Sequence, residues 1–87
     1  MKETVTLKYP LDLENRGKVL TVQLRRPKVR DIEAVEKYTG DYDRTINLIA
    51  NLAEWSPDEV RELDLADYKR LSETISGFLD GAPNSSR

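Results

Sequence analysis

The stretch "WSPDEVRELDLADYKRL", residues 55–71, carries five carboxylates: Asp58, Glu59, Glu62, Asp64 and Asp67. Asp64 and Asp67 sit three residues apart. Converging carboxylates hold hard cations or divide acid and base roles between them. Each use needs further parts. A calcium loop needs an acidic ladder around a central glycine, which this stretch does not contain. A carboxylate pair for glycoside or proton chemistry needs a cleft that so small a core can hardly enclose. The chain has no histidine and no cysteine. A Ser–His triad, a thiol nucleophile, a Cys/His zinc site and a disulfide framework are therefore excluded. A glycine-rich phosphate loop is missing too.

Helix ends account for the acids without chemistry. Ser56 precedes Pro57, and Glu59 follows three residues later, which is a capping box with proline at the first helical position. Asp64 precedes Leu65 and Ala66, with Asp67 three beyond it, so a second helix starts there with acids near the positive end of its dipole. Glu62 is exposed polar surface. The reading is of no enzyme, no cofactor and no metal.

The second cluster that could do chemistry is "RRPKVR", with Arg25, Arg26, Lys28 and Arg30 at a strand-to-helix junction. Basic groups beside a helix start can hold phosphates, as in a small regulatory nucleic-acid-binding domain using residues 25–30. Against this stand a pI near 5.1, acidic helices and no interleaved aromatic. An edge strand protected by charge explains the same residues, and an acidic protein partner is a third reading.

Two period-two segments precede that junction. "TVTLKY" places Val5, Leu7 and Tyr9 on one side, and "KVLTVQLR" places Leu20, Val22 and Leu24 together. Both read as half-buried antiparallel strands joined through "PLDLENRG", and Pro27 ends the second. Val29, Ile32, Val35 and Tyr38 then recur at helical spacing up to Gly40, a natural residue after a helix end. A further helix opens with Asp41 or Asp43 as its N-cap. It has two apolar stripes: Tyr42, Ile46, Ile49, Ala50 and Ala53, and separately Leu48, Leu52 and Trp55. A helix apolar on two sides is central in the fold or shared with a partner. The spacing puts Ile46, Ile49 and Ala53 in the core and Leu48, Leu52 and Trp55 nearer the surface, while Trp55 could instead staple the next helix. The last helix runs Leu65, Tyr68, Leu71, Ile75, Phe78 and Leu79 and stops at Gly81.

Eighty-seven residues make one small domain whose core leaves it marginal alone, so a partner subunit would help it appreciably. The fold class is α+β: an N-terminal antiparallel β-hairpin over 4–25, packed against three or four short helices within 28–80. Residues 1–80 form the domain, and the tail 81–87 is polar and expected to be disordered. No apolar run approaches a membrane span or a signal peptide. The net charge of −2 conceals an asymmetry: residues 1–30 hold eight Lys/Arg and three Asp/Glu, residues 31–87 six and thirteen. Such segregation steers a charged partner or favours head-to-tail self-association, though small domains also segregate charge by accident.

The ordered blocks "TVTLKYPL", "LTVQLRRPKVRDIEAVEK", "INLIANLAEWSPDEVRELDLADYKRL" and "ISGFL" together resemble the small tail assembly chaperones of Mu-like and related contractile-tailed phages and prophages. The signatures are the leucine–arginine–x–proline turn followed by Asp31, and the "SPDEVREL" turn before "DLADYKRL". Lys28 departs from the family, which often has a threonine there to cap the next helix. The resemblance implies a non-enzymatic protein of the bacterial host cytoplasm, absent from the mature virion. It would bind the helical, aggregation-prone tape measure protein and promote tube assembly, with the tail tube protein as a further candidate partner and a homo-oligomer as a candidate state. On that reading Leu48, Leu52 and Trp55, with Arg25, Arg26 and Arg30, are the candidate partner-binding residues, and nucleic acid is the lesser alternative.

The resemblance also implies a ribosomal frameshift near the end of the gene, appending a second domain to a minority of the product. Ala82-Pro83-Asn84 can be encoded GCC CCA AAC, which contains the slippery heptamer C CCA AAC. The expected outcome of sequencing the gene is that codon set followed by an open minus-one frame, and any other codons at 82–84 would rule out this placement.

Overall fold

The computed structural model describes residues 2–79, so the expected disorder of 81–87, the helix stop at Gly81 and the frameshift site lie outside the described residues. Alternating apolar residues build a hairpin from β1 (Lys2–Leu13) and β2 (Gly17–Arg25). The turn is a three-residue loop: the Arg16 N–H donates to the Leu13 carbonyl at 3.1 Å, and Gly17 takes φ +71°. Gly17, paired with Leu13 directly after the loop, supplies the left-handed conformation that returns the chain into β2. Four helices follow: α1 (Val29–Val35), α2 (Asp41–Ala53), α3 (Pro57–Arg61) and α4 (Leu65–Leu79). The architecture is α+β, a hairpin laid on helices. The inner hairpin face meets α2 and α4, and Leu24, Ile49, Leu52 and Leu71 form the fully buried centre.

The ladder is interrupted. Thr6 pairs with Thr21 and the next pair is Leu11 with Val19, so Leu7–Pro10 stand opposite Leu20 alone. Pro10 has no N–H to donate, and the Lys8 and Tyr9 N–H groups lose their cross-strand partners. Asp67 of α4 takes both: Lys8 N–H donates to Oδ1 and Tyr9 N–H to Oδ2, each at 2.9 Å. Arg70, one turn along, donates to Asp67 Oδ1 at 3.0 Å and to the Thr6 carbonyl at 2.8 Å. A helix side chain thus completes a strand. The break also shifts the alternation. Leu20, expected inside with Val22 and Leu24, is 54% exposed, Tyr9 is likewise turned out, and Val19 packs on the core instead.

A second buried aspartate clamps the other end of the hairpin. Arg25 makes two 2.9 Å hydrogen bonds to Asp31 of α1, whose carboxylate also accepts the Lys28 N–H at 2.7 Å. Helix α1 therefore starts at Val29 even though Lys28, with no hydroxyl, is the N-cap. This anchor rotates the short helix so that Asp31 and Val35 face inward and Val29, expected in the apolar stripe, is 79% exposed. The helix ends at Val35 rather than running to Gly40. Gly40, at φ −88°, is the N-cap of α2 instead of a helix terminator, and Asp41 and Asp43 lie in the first turn of α2.

Helix α2 is central: it packs against β2, α1, α3 and α4. This explains its two apolar sides and corrects the expected surface position of the second stripe. Leu48 and Leu52 are 8% and 1% exposed, buried with Ile49 and Ala50, while Ile46 and Ala53 are only partly covered. The helix ends in Glu54 at φ +62°, a left-handed cap filled by a residue that pays a steric penalty there.

Arg25, the largest influence, holds the Asp31 carboxyl at about 2 against an ordinary 3.8; burial opposes this and the Lys28 N–H adds to it. Burial is the largest single influence on Asp67 and pushes it up, but the two N–H donors and Arg70 outweigh it and its carboxyl lies below the ordinary value. Depressed carboxyls stabilise the fold above their unfolded value and lose that contribution as pH falls through the folded one. Denaturant melts should therefore show stability falling below about pH 4 and on toward pH 2, with roughly 2 kcal/mol of the loss absent in Asp31→Asn. Asp67→Ala should cost about 2–4 kcal/mol at pH 7, because two backbone donors lose their acceptor. Asp67→Asn should cost no less, since its amide turns one acceptor into a donor facing an N–H.

Candidate functional site

The acidic stretch resolves into separate tasks. The Ser56 hydroxyl accepts the Glu59 N–H at 3.2 Å, and Glu59 accepts the Ser56 N–H at 2.9 Å, with Pro57 at the first helical position. Glu59 also takes Arg16 from the hairpin turn at 3.1 Å, and its carboxyl lies below the ordinary value because of the Ser56 N–H and then Arg16. Asp64 caps α4 by accepting the Ala66 N–H at 2.9 Å. Asp67, expected near the helix start beside solvent, is instead wholly buried. The two aspartates three apart each serve backbone donors and do not converge. Among the described residues, no three His, Cys, Asp or Glu side chains gather where they could hold a metal ion.

The six partner-binding candidates do not form one surface. Leu48 and Leu52 belong to the core. Trp55 is partly buried and packed against that core, with the Arg16 guanidinium 5.3 Å above its ring, and Arg16 also donates to the Glu54 carbonyl at 2.8 Å. The indole thereby fastens the hairpin turn to the α2–α3 corner. Arg25 is held inward by Asp31. Arg26 lies over Phe78 at 5.3 Å, and Arg30 is exposed. Of the four cations in "RRPKVR", one is thus internally neutralised, which lowers the field that junction offers a phosphate.

An open apolar surface lies elsewhere. Tyr42 and Tyr68 stack 5.6 Å apart at 28°, joining the first turns of α2 and α4. On one side of the pair is a hollow of about 210 Å³, lined by Ile46, Val60, Leu63 and Leu65 as well as the tyrosines. On the other a polar-edged hollow of about 440 Å³ continues past Thr45, Ser72 and Glu73. Tyr42 is 61% and Leu65 55% exposed. Sequence reading placed Tyr42 and Leu65 in apolar helical stripes without marking them as exposed. The available signal was position: both sit in the first turn of a helix, where the chain is only entering the core.

A family model described as phage tail assembly chaperone proteins, E, or 41 or 14, matches residues 4–80, from within β1 to just past the last described residue of α4. No curated protein and no solved structure matches the chain.

The cap geometry sets a direct check on the acids. Ser56→Ala and Asp64→Ala should each cost about 0.5–2 kcal/mol in a denaturant melt. Millimolar magnesium or calcium should leave the melting temperature unchanged. A rise of many degrees with cation, abolished by Asp64→Asn, would show that these carboxylates bind metal after all.

Proposed function

The chain belongs to the phage tail assembly chaperone family, and from that premise we propose that it binds a helical segment of the tape measure protein in the groove around Tyr42 and Tyr68. The single observation that supports this site is the hollow between α2, α3 and α4, with Tyr42 and Leu65 exposed at its rim, Ile46, Val60 and Leu63 beneath them and Arg61 at its edge. The α4 side of the groove, from Leu65 to Glu73, spans roughly 12 Å, which fits about two turns of a partner helix. An amphipathic helix laid there would cover Tyr42 and Leu65, which the chain leaves in water. Aromatic residues in such a floor are the usual carriers of binding energy.

In this role the protein performs no reaction. It shields the apolar stripe of an aggregation-prone helix and releases it as the tail tube assembles, with the tube protein as a second contact. It would act in the host cytoplasm and be absent from the finished particle. No described helix is long and apolar enough to cross a membrane. Leu48 and Leu52 contribute by holding α2 in place, and Trp55, Arg26 and Arg30 are left as peripheral contacts.

Co-expression with the tape measure protein tests the site. Leu65→Asp, at an exposed position, should leave the circular dichroism melt within about 0.5 kcal/mol of the parent, yet sharply reduce the soluble yield of tape measure. Tyr42→Ala should act in the same direction. A folded Leu65→Asp protein that keeps the partner soluble as well as the parent does would place the contact elsewhere. Duplex DNA binding that weakens steeply with salt would instead favour the basic junction as the working surface.

A further inference from the structure

The aromatic rings of this molecule follow a pattern with one exception. Arg16 lies 5.3 Å over Trp55, Arg26 lies 5.3 Å over Phe78, and the Lys37 ammonium is 5.4 Å from the Tyr38 ring. Tyr42 and Tyr68 stack on each other instead, and among the described residues no cation lies over either. Tyr42 is largely exposed, so its outer face meets water. The electron-rich face of such a ring attracts a cation. Carboxylates stand close by. Asp41 and Glu73 line the hollow of about 440 Å³ beside the pair, one from α2 and one from α4. Arg44 reaches Asp41 at 3.1 Å, but that carboxylate is 96% exposed and open to a second donor. Glu73 has no ion-pair partner among the described residues. Lys69 lines the same hollow one turn earlier, and a lysine four residues before a glutamate is the weaker order for a helical pair. On the other side of the stack, Arg61 is shared by Asp43 at 3.9 Å and Asp58 at 3.1 Å, so one negative charge is left over. Asp64, next to Leu65, adds another.

Around the groove, five carboxylates thus face three cations. We propose that the helix this groove takes is a basic one, and that it lays an arginine on the open face of Tyr42 with Asp41 and Glu73 as its carboxylate partners. This rests on the groove reading above and adds to it the chemistry of the occupant. Arginine suits the place better than lysine, because a planar guanidinium stacks on a ring while its N–H groups still reach carboxylates at the edge. A helix whose apolar stripe is flanked by arginines would cover Tyr42 and Leu65 and also neutralise the acidic rim. One flanked by acids would meet like charge from both walls. The apolar lining alone accepts any amphipathic helix. The rim discriminates between them.

Titration of the full chain with three labelled peptides tests this. Each peptide carries the same leucine stripe at helical spacing, with arginine, glutamine or glutamate at the flanking positions. Fluorescence anisotropy at about 25 mM salt should show the arginine peptide bound about tenfold more tightly than the glutamate one. The glutamine peptide should fall between, and the gap should narrow at about 400 mM salt. Glu73→Lys should weaken the arginine peptide and strengthen the glutamate one, and Lys69→Glu should do the reverse; both positions are exposed. Tyr42→Leu, which keeps an apolar side chain without a ring face, should cost the arginine peptide about two- to fivefold and the glutamine peptide much less. Equal binding of all three peptides, each weakened by Tyr42→Ala, would overturn the basic partner and leave the groove standing. Binding that Tyr42→Ala leaves intact, or no binding at all, would remove the groove and this inference with it. A folded Glu73→Lys protein with an unchanged peptide preference would overturn the arginine assignment. If circular dichroism shows that a Tyr42 variant does not fold, charge reversal at Glu73 and Lys69 still decides.

Discussion

The buried carboxylate of Asp67 is the interaction on which the arrangement depends. A strand that abandons its partner for four residues leaves backbone donors without acceptors, and water cannot fully serve them where a helix packs alongside. Asp67 supplies both oxygens to Lys8 and Tyr9, and Arg70 returns a donor to Thr6. A charge so deeply placed is tolerated because three donors, two backbone N–H groups and the Arg70 guanidinium, meet its two oxygens, and among the described residues no buried side-chain polar atom is left unsatisfied. The same carboxylate that completes the strand docks the first turn of α4 on β1, while Asp64 caps that helix. Tyr68 and Leu65 are placed by that start, and with them one wall of the groove.

Asp31 repeats the device at the far end of the hairpin. Each aspartate sits three residues after the cap of its helix and pairs with an arginine, Arg70 within α4 and Arg25 from β2. The domain is thus held by a modest apolar core and two polar clamps, one at the break in the ladder and one at its open end. A chain of this size buries a small share of its surface compared with larger domains. Two directional clamps give a thin core a unique register that apolar contacts alone specify poorly. With its elements held this way, the protein can leave Tyr42 and Leu65 open to water without losing its shape, which is what the proposed partner surface requires.

The corner between α2 and α3 shows how local capping serves that surface. Glu54 reverses the chain in a left-handed conformation, the Ser56–Glu59 box starts α3 at once, and Arg16 with Trp55 ties the corner to the hairpin turn. Helix α3 is thereby swung so that Val60 and Leu63 close the floor beneath the tyrosine pair. The acids that drew attention as possible chemistry are the fasteners of this corner and of the α4 start.

Much of this was legible in the chain itself. The hairpin, the helices, the Ser56 and Asp64 caps and the family resemblance all follow from patterns spanning three or four residues, or from ordered blocks. Such interactions form between near neighbours whatever the rest of the molecule does. What tertiary structure decided was which side of each element faces in. Strand parity put Leu20 inside, but a break in pairing set by Asp67, 58 and 59 residues away from the amides it binds, turned it out. Helical spacing ranked Ile46, Ile49 and Ala53 as the inner stripe of α2, and the contacts made by a central helix buried Leu48 and Leu52 with Ile49 while Ile46 and Ala53 stayed only partly covered. Asp31 and Asp67 look like any other acids near a helix start. Only the meeting of distant segments shows that they are buried, because solvation and partner geometry belong to the packed molecule and not to the local sequence.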